Sequence, residues 1–475
     1  MWQETAFIGG TDAATPGEIG VEDPSTGRVF ATTPDCGPDQ IDQAVASARA
    51  ASAQWRRTAV ASRAVALRRI AVLIDRDRDE LGRLESRQTG KPLAQGRRDA
   101  ELTARYFDFY ASAIETFYGS TIPLDSGNFV YTSWEPHGVT GHIIPWNYPM
   151  QILARSVAPA LAIGNGAVLK PPEEAPLTAL RLARLGIEAG LPAGLLNIVP
   201  GYGETAGAAL TAHPGISHIS FTGSVPVGKT ISAAAAARVI PVTMELGGKS
   251  PNIVFADADL DRATPVIVNS IIQMAGQTCS AGSRLLVQRD IHDELVTRIA
   301  KAFTSLTIGP ALDDPALGPL ISGPQRDRVA SYVAQAYQSA TLVTGGHALN
   351  GDRYGDGYFF EPTLIDEVDP ASALGQDEIF GPVLVVSEFD DADEAVALAN
   401  GTEYGLVAGV WTRDVGTAHR MIRDVDTGQV FVNTYGASGG VELPFGGVKQ
   451  SGHGREKGAE GLRGFARLKT GVIAL

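Results

Sequence analysis

VTGHII at 139–144 opens a rhythm that decides the fold of this chain, followed by AVL at 167–169, LNIV at 196–199, SHISF at 217–221 and IPVTM at 240–244. Helical stretches fill the intervals, at 150–163, 176–189, 204–212 and 225–238, the last carrying the run Ala233 to Ala237. Strand, helix and strand repeated at this spacing predict parallel strands joined by crossover helices, a doubly wound sheet. Such sheets bind ligands outside the carboxyl ends of their strands. Four clusters fall at those ends: Pro145-Trp146-Asn147, Lys170-Pro171-Pro172-Glu173, Thr222-Gly223-Ser224 and Glu245-Leu246-Gly247-Gly248.

A second α/β segment runs from about Ser250 to Phe445, with predicted strands at 252–255, 284–288, 341–344, 383–387, 407–411 and 430–432. Ahead of both, residues 38–118 are helical in pattern, with apolar residues three and four apart and the run punctuated by Gly90 and Pro92. STIPLDSGNFVYTSWEPHG at 120–138 alternates around Asp125-Ser126-Gly127-Asn128, which predicts a protruding hairpin. Residues 465–475 read as a terminal strand. An apolar strand at a chain end needs a partner edge, and the hairpin of another subunit is the expected one.

At 475 residues the chain exceeds the size at which one core stops growing, so two or more domains are expected. Apolar and charged contents of 44% and 19% are those of an ordinary soluble globular protein. The net charge of -14 argues against nucleic acid and anionic membranes as partners, since both need clustered Lys and Arg. Arg68-Arg69 and Arg97-Arg98 are short and sit among acids on solvated helical faces. The first residues do not resemble a signal peptide, and no apolar run approaches a bilayer-spanning length. Two cysteines, Cys36 and Cys279, make no disulfide framework, so a reducing, cytoplasmic compartment is expected. The eight His residues show no paired ligand spacing, and no protein-held metal is expected.

Gly276-Gln277-Thr278-Cys279 offers one thiol in a glycine-framed loop, and Met244-Glu245-Leu246-Gly247-Gly248-Lys249 offers a carboxylate on another loop that can act as its base. Thiolates attack carbonyl carbon well, and the covalent adduct divides one difficult reaction into two easier ones. Each residue also has a plainer reading. An isolated Cys is most often a small core residue, and a Glu at a strand end often pairs with a neighbour such as Lys249. Gly201-Tyr202-Gly203-Glu204-Thr205-Ala206-Gly207 follows a strand and enters a helix like a dinucleotide fingerprint. Its spacing is GxGxxxG, with no acid at the expected later strand end, so it reads as a tight turn.

Seven blocks in order give these residues a context: PWNYP at 145–149, LKPPEEAPLTAL at 169–180, FTGSVPVGK at 221–229, ELGGKSP at 245–251, GQTCSAGSR at 276–284, EIFGPV at 378–383 and PFGGVKQSGHGRE at 444–456. Over nearly its whole length the chain resembles the aldehyde dehydrogenase superfamily. The resemblance implies that Cys279 forms a thiohemiacetal with an aldehyde, with the Asn147 amide and the Cys279 backbone N–H as oxyanion donors. Hydride transfer to nicotinamide leaves a thioester, which water activated by Glu245 hydrolyses. Relatives that pass the acyl group to coenzyme A look different at that position, so Glu245 implies a free acid product.

On the cofactor side the resemblance places Lys170 and Glu173 at the adenosine ribose. A carboxylate beside the 2'-hydroxyl accepts its hydrogen bond and repels a 2'-phosphate, so Glu173 favours NAD, while Lys170 tolerates NADP as well. Gly223 and Ser224 open a helix whose free N–H groups suit a pyrophosphate, with Trp146 nearby. Glu378 would hold the nicotinamide ribose and Phe380 would lie against the ring. Outside this context Asn147 would be a turn residue, Glu378 a loop acid and Phe380 a core aromatic.

Substrate identity rests on Arg155, about two helical turns beyond Asn147, on the segment that lines the family's aldehyde channel. Succinate semialdehyde dehydrogenases and dehydrogenases of hydroxylated aromatic aldehydes carry an Arg there. The second Arg expected of the former is Gln273 in this chain, and a plain helix-surface Arg is the equal alternative reading of Arg155.

The expectation is thus an α/β protein: a doubly wound parallel-sheet cofactor domain (1–118 and 138–247), a second α/β catalytic domain (248–447) and a small β oligomerisation element (119–137 and 448–475). It would oxidise a bulky or aromatic aldehyde, or one with a distal polar group, as a homodimer or homotetramer. A succinate semialdehyde dehydrogenase is the alternative within enzymes. A catalytically silent structural or binding protein on the same fold is the alternative outside them, though it would not need nucleophile, base, oxyanion donor and ribose-binding acids together. Cys36 has no assigned role.

Overall fold

In the computed structural model each apolar run of the first α/β segment is a strand: Val139–Ile143, Gly166–Lys170, Leu196–Ile198, His218–Thr222 and Val242–Glu245. The structure describes residues 2–13, 15, 17–124, 127–436 and 440–475, so Asp125 and Ser126 of the predicted turn lie outside the described residues. All neighbouring pairs among these five strands are parallel. The chain starts in the middle with Val139–Ile143, builds one flank through Gly166–Lys170 and Leu196–Ile198, then crosses to lay down His218–Thr222 and Val242–Glu245 on the other. The winding therefore reverses between Val139–Ile143 and His218–Thr222, and the crevice for a ligand opens at their carboxyl ends.

Crossover helices are set by local signals. Pro149 starts the helix Pro149–Ile163 where an N–H has no partner, and Gly164 at φ +114° ends it. Every residue of that helix except Gln151 is buried, which explains its almost unbroken apolar sequence. The glycine-rich turn at 201–207 is structural: a Cβ on Gly201 would lie 2.6 Å from the Cys36 carbonyl oxygen.

Four helices, Pro38–Trp55, Val60–Arg76, Arg78–Thr89 and Leu93–Ala113, fill the predicted N-terminal helical region, with the break at Gly90, φ +80°. Before them, Ala6–Ile8 and Thr11–Ala13 extend the cofactor sheet, and Trp2–Gln3, Arg28–Pro34 and Glu18–Asp23 form a three-stranded sheet. Periodicity does not reveal these strands, because the inward pair Ile19 and Val21 is too brief an alternation to stand out.

The second sheet runs in the order Thr341–Thr344, Thr363–Asp366, Val383–Phe389, Arg284–Gln288, Pro251–Val254, Val407–Trp411, Gln429–Val432. Only Thr341–Thr344 is antiparallel to its neighbour.

The terminal strand corrects one expectation. Ala466–Ala474 pairs antiparallel with Asn128–Pro136 of the same chain, from Ala466 opposite Pro136 to Ala474 opposite Asn128. Asn165 Nδ2 donates to the Phe465 carbonyl at 2.9 Å and delivers the chain to that edge. An edge already held nearby is taken without the entropy cost of association. The segment 448–465 lies elsewhere: Val448-Lys449 pair with Tyr404-Gly405, and Gly452-His453 pair with Glu245 and Met244 on the edge of the cofactor sheet.

Candidate active site

A cavity of about 1160 Å³ opens at the switch point and reaches the second sheet. It is lined by Asn147, Glu245 and Cys279, by Trp146, Gly223, Ser224, Glu378 and Phe380, and by Arg155 and Gln273. Lys170 and Glu173 are not among its lining residues. They pair with each other at 2.6 Å at the end of the strand beside Val139–Ile143.

The loop that leads to Cys279 is strained and clamped. After the helix Leu260–Ile272, Met274, Ala275 and Gly276 take φ values of 49°, 53° and 72°. Left-handed conformations at non-glycine residues cost on the order of 1–3 kcal/mol each and persist only where the surroundings hold them. The holding groups are Gln95 Oε1, which accepts from the Met274 N–H at 3.0 Å, and buried Gln277. Gln277 donates to the Met274 carbonyl at 2.9 Å and accepts from the Ile321 N–H at 2.9 Å. Gly276 cannot be replaced, since a Cβ there would lie 2.0 Å from the Gly381 oxygen.

Cys279 is half-buried and packs beside Leu406, Val407 and Phe445, with Phe431 and Tyr435 against the same cluster. Burial pushes its thiol up to about 12, Arg155 and Lys457 pull it down, and Glu378 and Glu245 push it up. The resting thiol therefore keeps its proton, and attack requires that proton to leave.

Asn147 is buried, and its Nδ2 donates to the Gln277 carbonyl at 2.9 Å, while its Oδ1 accepts from the Tyr148 N–H at 3.0 Å. One amide hydrogen is thus committed, leaving the second for the cavity. Glu245 ends its strand, also buried, and neither carboxyl oxygen has a hydrogen-bond partner among the described residues. It does not pair with Lys249, whose Nζ is likewise without a hydrogen bond. Burial, with Glu456 adding to it, holds the Glu245 carboxyl well above the usual range against the pull of Arg155, Arg455 and Lys457. A Cβ on Gly446 would lie 2.8 Å from Glu245 Oε1, so that glycine leaves the carboxyl its room.

Arg155 is not a helix-surface residue. It is buried, its Nε donates to Glu456 Oε2 at 2.8 Å, and its guanidinium lies 4.7 Å from the Phe445 ring centroid. Its charge is answered by Glu456 from 301 residues away.

The cofactor end has matching features. Ser224 caps the helix Val225–Ala237 in an extended conformation, so its first-turn N–H groups face the switch point without helical partners. Glu378 Oε1 accepts from the Gly248 N–H at 3.0 Å, and burial raises its carboxyl to about 7. Gly247 is required beneath it, since a Cβ would come within 2.3 Å of Glu378 Oε2. Phe380, at φ +60°, meets Trp146 edge to face with centroids 5.3 Å apart. A helix N-terminus and a buried carboxylate, Glu378, lining one cavity form a donor and acceptor set that fits a pyrophosphate and a ribose diol.

Sequence reasoning passes over Glu456, Lys457 and Phe445 at the substrate end, and over Lys91 beneath Asn147. Glu456 and Phe445 stand inside the PFGGVKQSGHGRE block, which is the signal for them. Lys91 is marked only by the helix break around it.

Residues 11–471 match the sequence model of the aldehyde dehydrogenase family. A Burkholderia cenocepacia crystal structure assigned as an aldehyde dehydrogenase is 52% identical, covers 99% of each chain and has a TM-score of 0.97. An indole-3-acetaldehyde dehydrogenase from P. syringae, solved as a cysteine-to-alanine variant with NAD+ and IAA, is 39% identical over 100% of this chain and 97% of its own, TM-score 0.97. A Bacillus cereus aldehyde dehydrogenase in complex with NAD+ is 37% identical over 99% and 96%, TM-score 0.97. With the family match spanning nearly the whole sequence, this chain belongs to the aldehyde dehydrogenase family.

Proposed function

We propose that the chain oxidises a bulky or aromatic aldehyde to its carboxylic acid with NAD. The observation that carries this reading is the convergence of Cys279, Asn147 and Glu245 on one cavity that continues into the switch-point crevice. Cys279 Sγ, its proton passed to water in the cavity, bonds the aldehyde carbon as the C=O π bond opens, and the carbonyl oxygen takes the negative charge under the Asn147 amide and the Cys279 N–H. Bound NAD supplies the acceptor for the hydride that leaves this carbon. The thioester left on Cys279 is cleaved by water that gives its proton to Glu245.

Glu378 would hold one ribose and Glu173 the other, with the first turn of Val225–Ala237 at the pyrophosphate. Glu173→Gln is expected to raise kcat/KM for NADP about tenfold or more while changing that for NAD by much less, since the charge that repels a 2'-phosphate is gone. Initial rates with both cofactors check this, and an unchanged ratio would move the 2'-hydroxyl away from Glu173.

Two features favour a bulky aldehyde over succinate semialdehyde. Phe431, Tyr435 and Phe445 flank the cavity near Cys279, and Arg155 is already neutralised by Glu456. The P. syringae relative is an indole-3-acetaldehyde dehydrogenase, an enzyme named for an aromatic substrate. NADH formation across a panel of aldehydes should show kcat/KM for benzaldehyde-type substrates about tenfold or more above that for succinate semialdehyde, the discrimination expected of an apolar pocket. The reverse order would mean that Arg155 leaves Glu456 to read a carboxylate. Turnover of neither class would favour the silent protein.

The active form would be a homodimer or homotetramer in the cytoplasm. On the hairpin sheet Leu468 and Val472 on one face and Phe129 and Ile473 on the other are exposed apolar side chains, which a partner subunit would cover. Light scattering should give a mass of two or four chains, and Val472→Asp should lower it. A monomeric wild type would end this part of the reading. Among the described residues no helix is long and apolar enough to cross a membrane.

A further inference from the structure

A buried ionic cluster lies under the Asn147 loop, and the reaction as described makes no use of it. Lys91 stands in the link between the helices Arg78–Thr89 and Leu93–Ala113. Its ammonium is wholly buried, pairs with Asp99 and lies 3.6 Å from Glu85 Oε1. It also donates to the backbone carbonyl of Asn147 at 2.8 Å and sits 4.2 Å from the Tyr148 ring centroid.

The two carboxyls hold the same loop at further points. Asp99 Oδ1 accepts from Gln151 Nε2 at 2.6 Å, and Glu85 Oε1 is within 3.5 Å of the Met150 N–H. Glu85 Oε2 is anchored in turn by Gln88 Nε2 at 3.0 Å and Thr178 Oγ1 at 2.8 Å. The carbonyl of residue 147, the ring of 148, the amide of 150 and the side chain of 151 are therefore all tied to one cluster on two other helices. On its side-chain side Asn147 is held by the carbonyl of Gln277 and by its own neighbour, the Tyr148 N–H.

We propose that Lys91 is a positioning residue for the oxyanion site, fixing the Asn147 peptide so that the side-chain amide stays aimed at the oxygen of the carbonyl attacked by Cys279. An oxyanion donor works only if it is already in place when charge develops, and a displacement of about 1 Å can cost about 10²-fold in rate. Helix-bundle residues far from the nucleophile in sequence thereby set the reactivity of the catalytic cavity. The proposal rests on the reading of Asn147 as the oxyanion donor.

The test is a double-mutant cycle of Lys91→Met and Lys91→Arg with Asn147→Ala, reading the rate of the first NADH turnover and the affinity for NAD. Lys91→Met should slow the first turnover by about 30- to 100-fold and leave the dissociation constant for NAD within about twofold. In the Asn147→Ala background the same change should cost less than about threefold, because its route of action is gone. Lys91→Met strips the cation from two buried carboxyls and risks the fold. Lys91→Arg keeps that charge but moves the donor, and it should slow the first turnover at least about tenfold in a protein that still folds.

Losses of equal size in both backgrounds, or a folded Lys91→Arg variant with wild-type first turnover, would overturn the proposal alone. A first turnover that survives Asn147→Ala would remove the oxyanion role of Asn147 and the proposal with it.

Discussion

Cys279→Ala is expected to lower aldehyde-dependent NADH formation by about 10⁴-fold or more while NAD affinity stays near wild type. The size of the effect follows from the chemistry. Without sulfur there is no adduct from which hydride can leave, and the oxyanion donors have no tetrahedral carbon to serve. The fold should survive, because Cys279 is half-buried and contributes only a small contact to the cluster of Leu406, Val407 and Phe445. Truncating a group of that size costs on the order of 1 kcal/mol. Cys36 cannot substitute, since it is buried in a core cluster and does not line the cavity. The measurement is a steady-state assay beside a fluorescence titration with NAD. Retained activity would sink the covalent mechanism, and a wild type with no activity to lose would leave only the silent reading.

The sheets are legible in the sequence because their strands are buried on both faces and read as unbroken apolar runs. Arg284–Gln288 and Val407–Trp411 fall where the pattern predicts them, and so does Thr341–Thr344, although it is half-solvated at the sheet edge. Strands that escape notice include half-solvated ones with little apolar alternation, as at Glu18–Asp23. The partner of the terminal strand is misjudged because local sequence says that an edge is needed without saying whose edge is nearest.

The candidate site divides in the same way. Residues at strand ends and in glycine-framed loops are visible as motifs, and the cavity gathers Asn147, Glu245 and Cys279. Polar contacts that span the chain leave no local trace. Arg155 with Glu456, 301 residues apart, and Lys91 with the Asn147 carbonyl, 56 apart, exist only once helices and loops are packed. Each changes the reading of a motif residue, the first by neutralising a supposed substrate contact and the second by fastening the oxyanion donor.

Glu245→Gln should permit a first turnover and then stall. NADH would appear in a burst approaching one per active site, followed by a steady state slower by about 10²- to 10⁴-fold, the contribution expected of a general base. The burst reports thioester formation, which needs Cys279 and Asn147, and the stall reports hydrolysis, which needs a base for water. Hydroxylamine attacks a thioester without that base, so it should restore turnover in the variant if the acyl enzyme has accumulated. An unchanged steady-state rate would remove Glu245 from deacylation. Loss of the burst itself would assign it instead to the thiol proton.

The environment of Glu245 adds a pH signature with a definite sign. Burial raises its carboxyl in the folded state, so the basic form is populated only as pH rises, and wild-type kcat should climb with pH where that of Glu245→Gln stays flat. The same shift bears on stability. A carboxyl whose folded value is raised binds its proton more tightly in the native state, so its contribution to folding is full at low pH and is lost as pH rises from the unfolded value through the folded one. Glutamine never ionises and escapes that loss. The variant should therefore melt higher than wild type at alkaline pH, while the gap closes or reverses in acid. A residue that weakens the fold in the ionised form in which it is needed is what a site held for chemistry rather than for packing would contain.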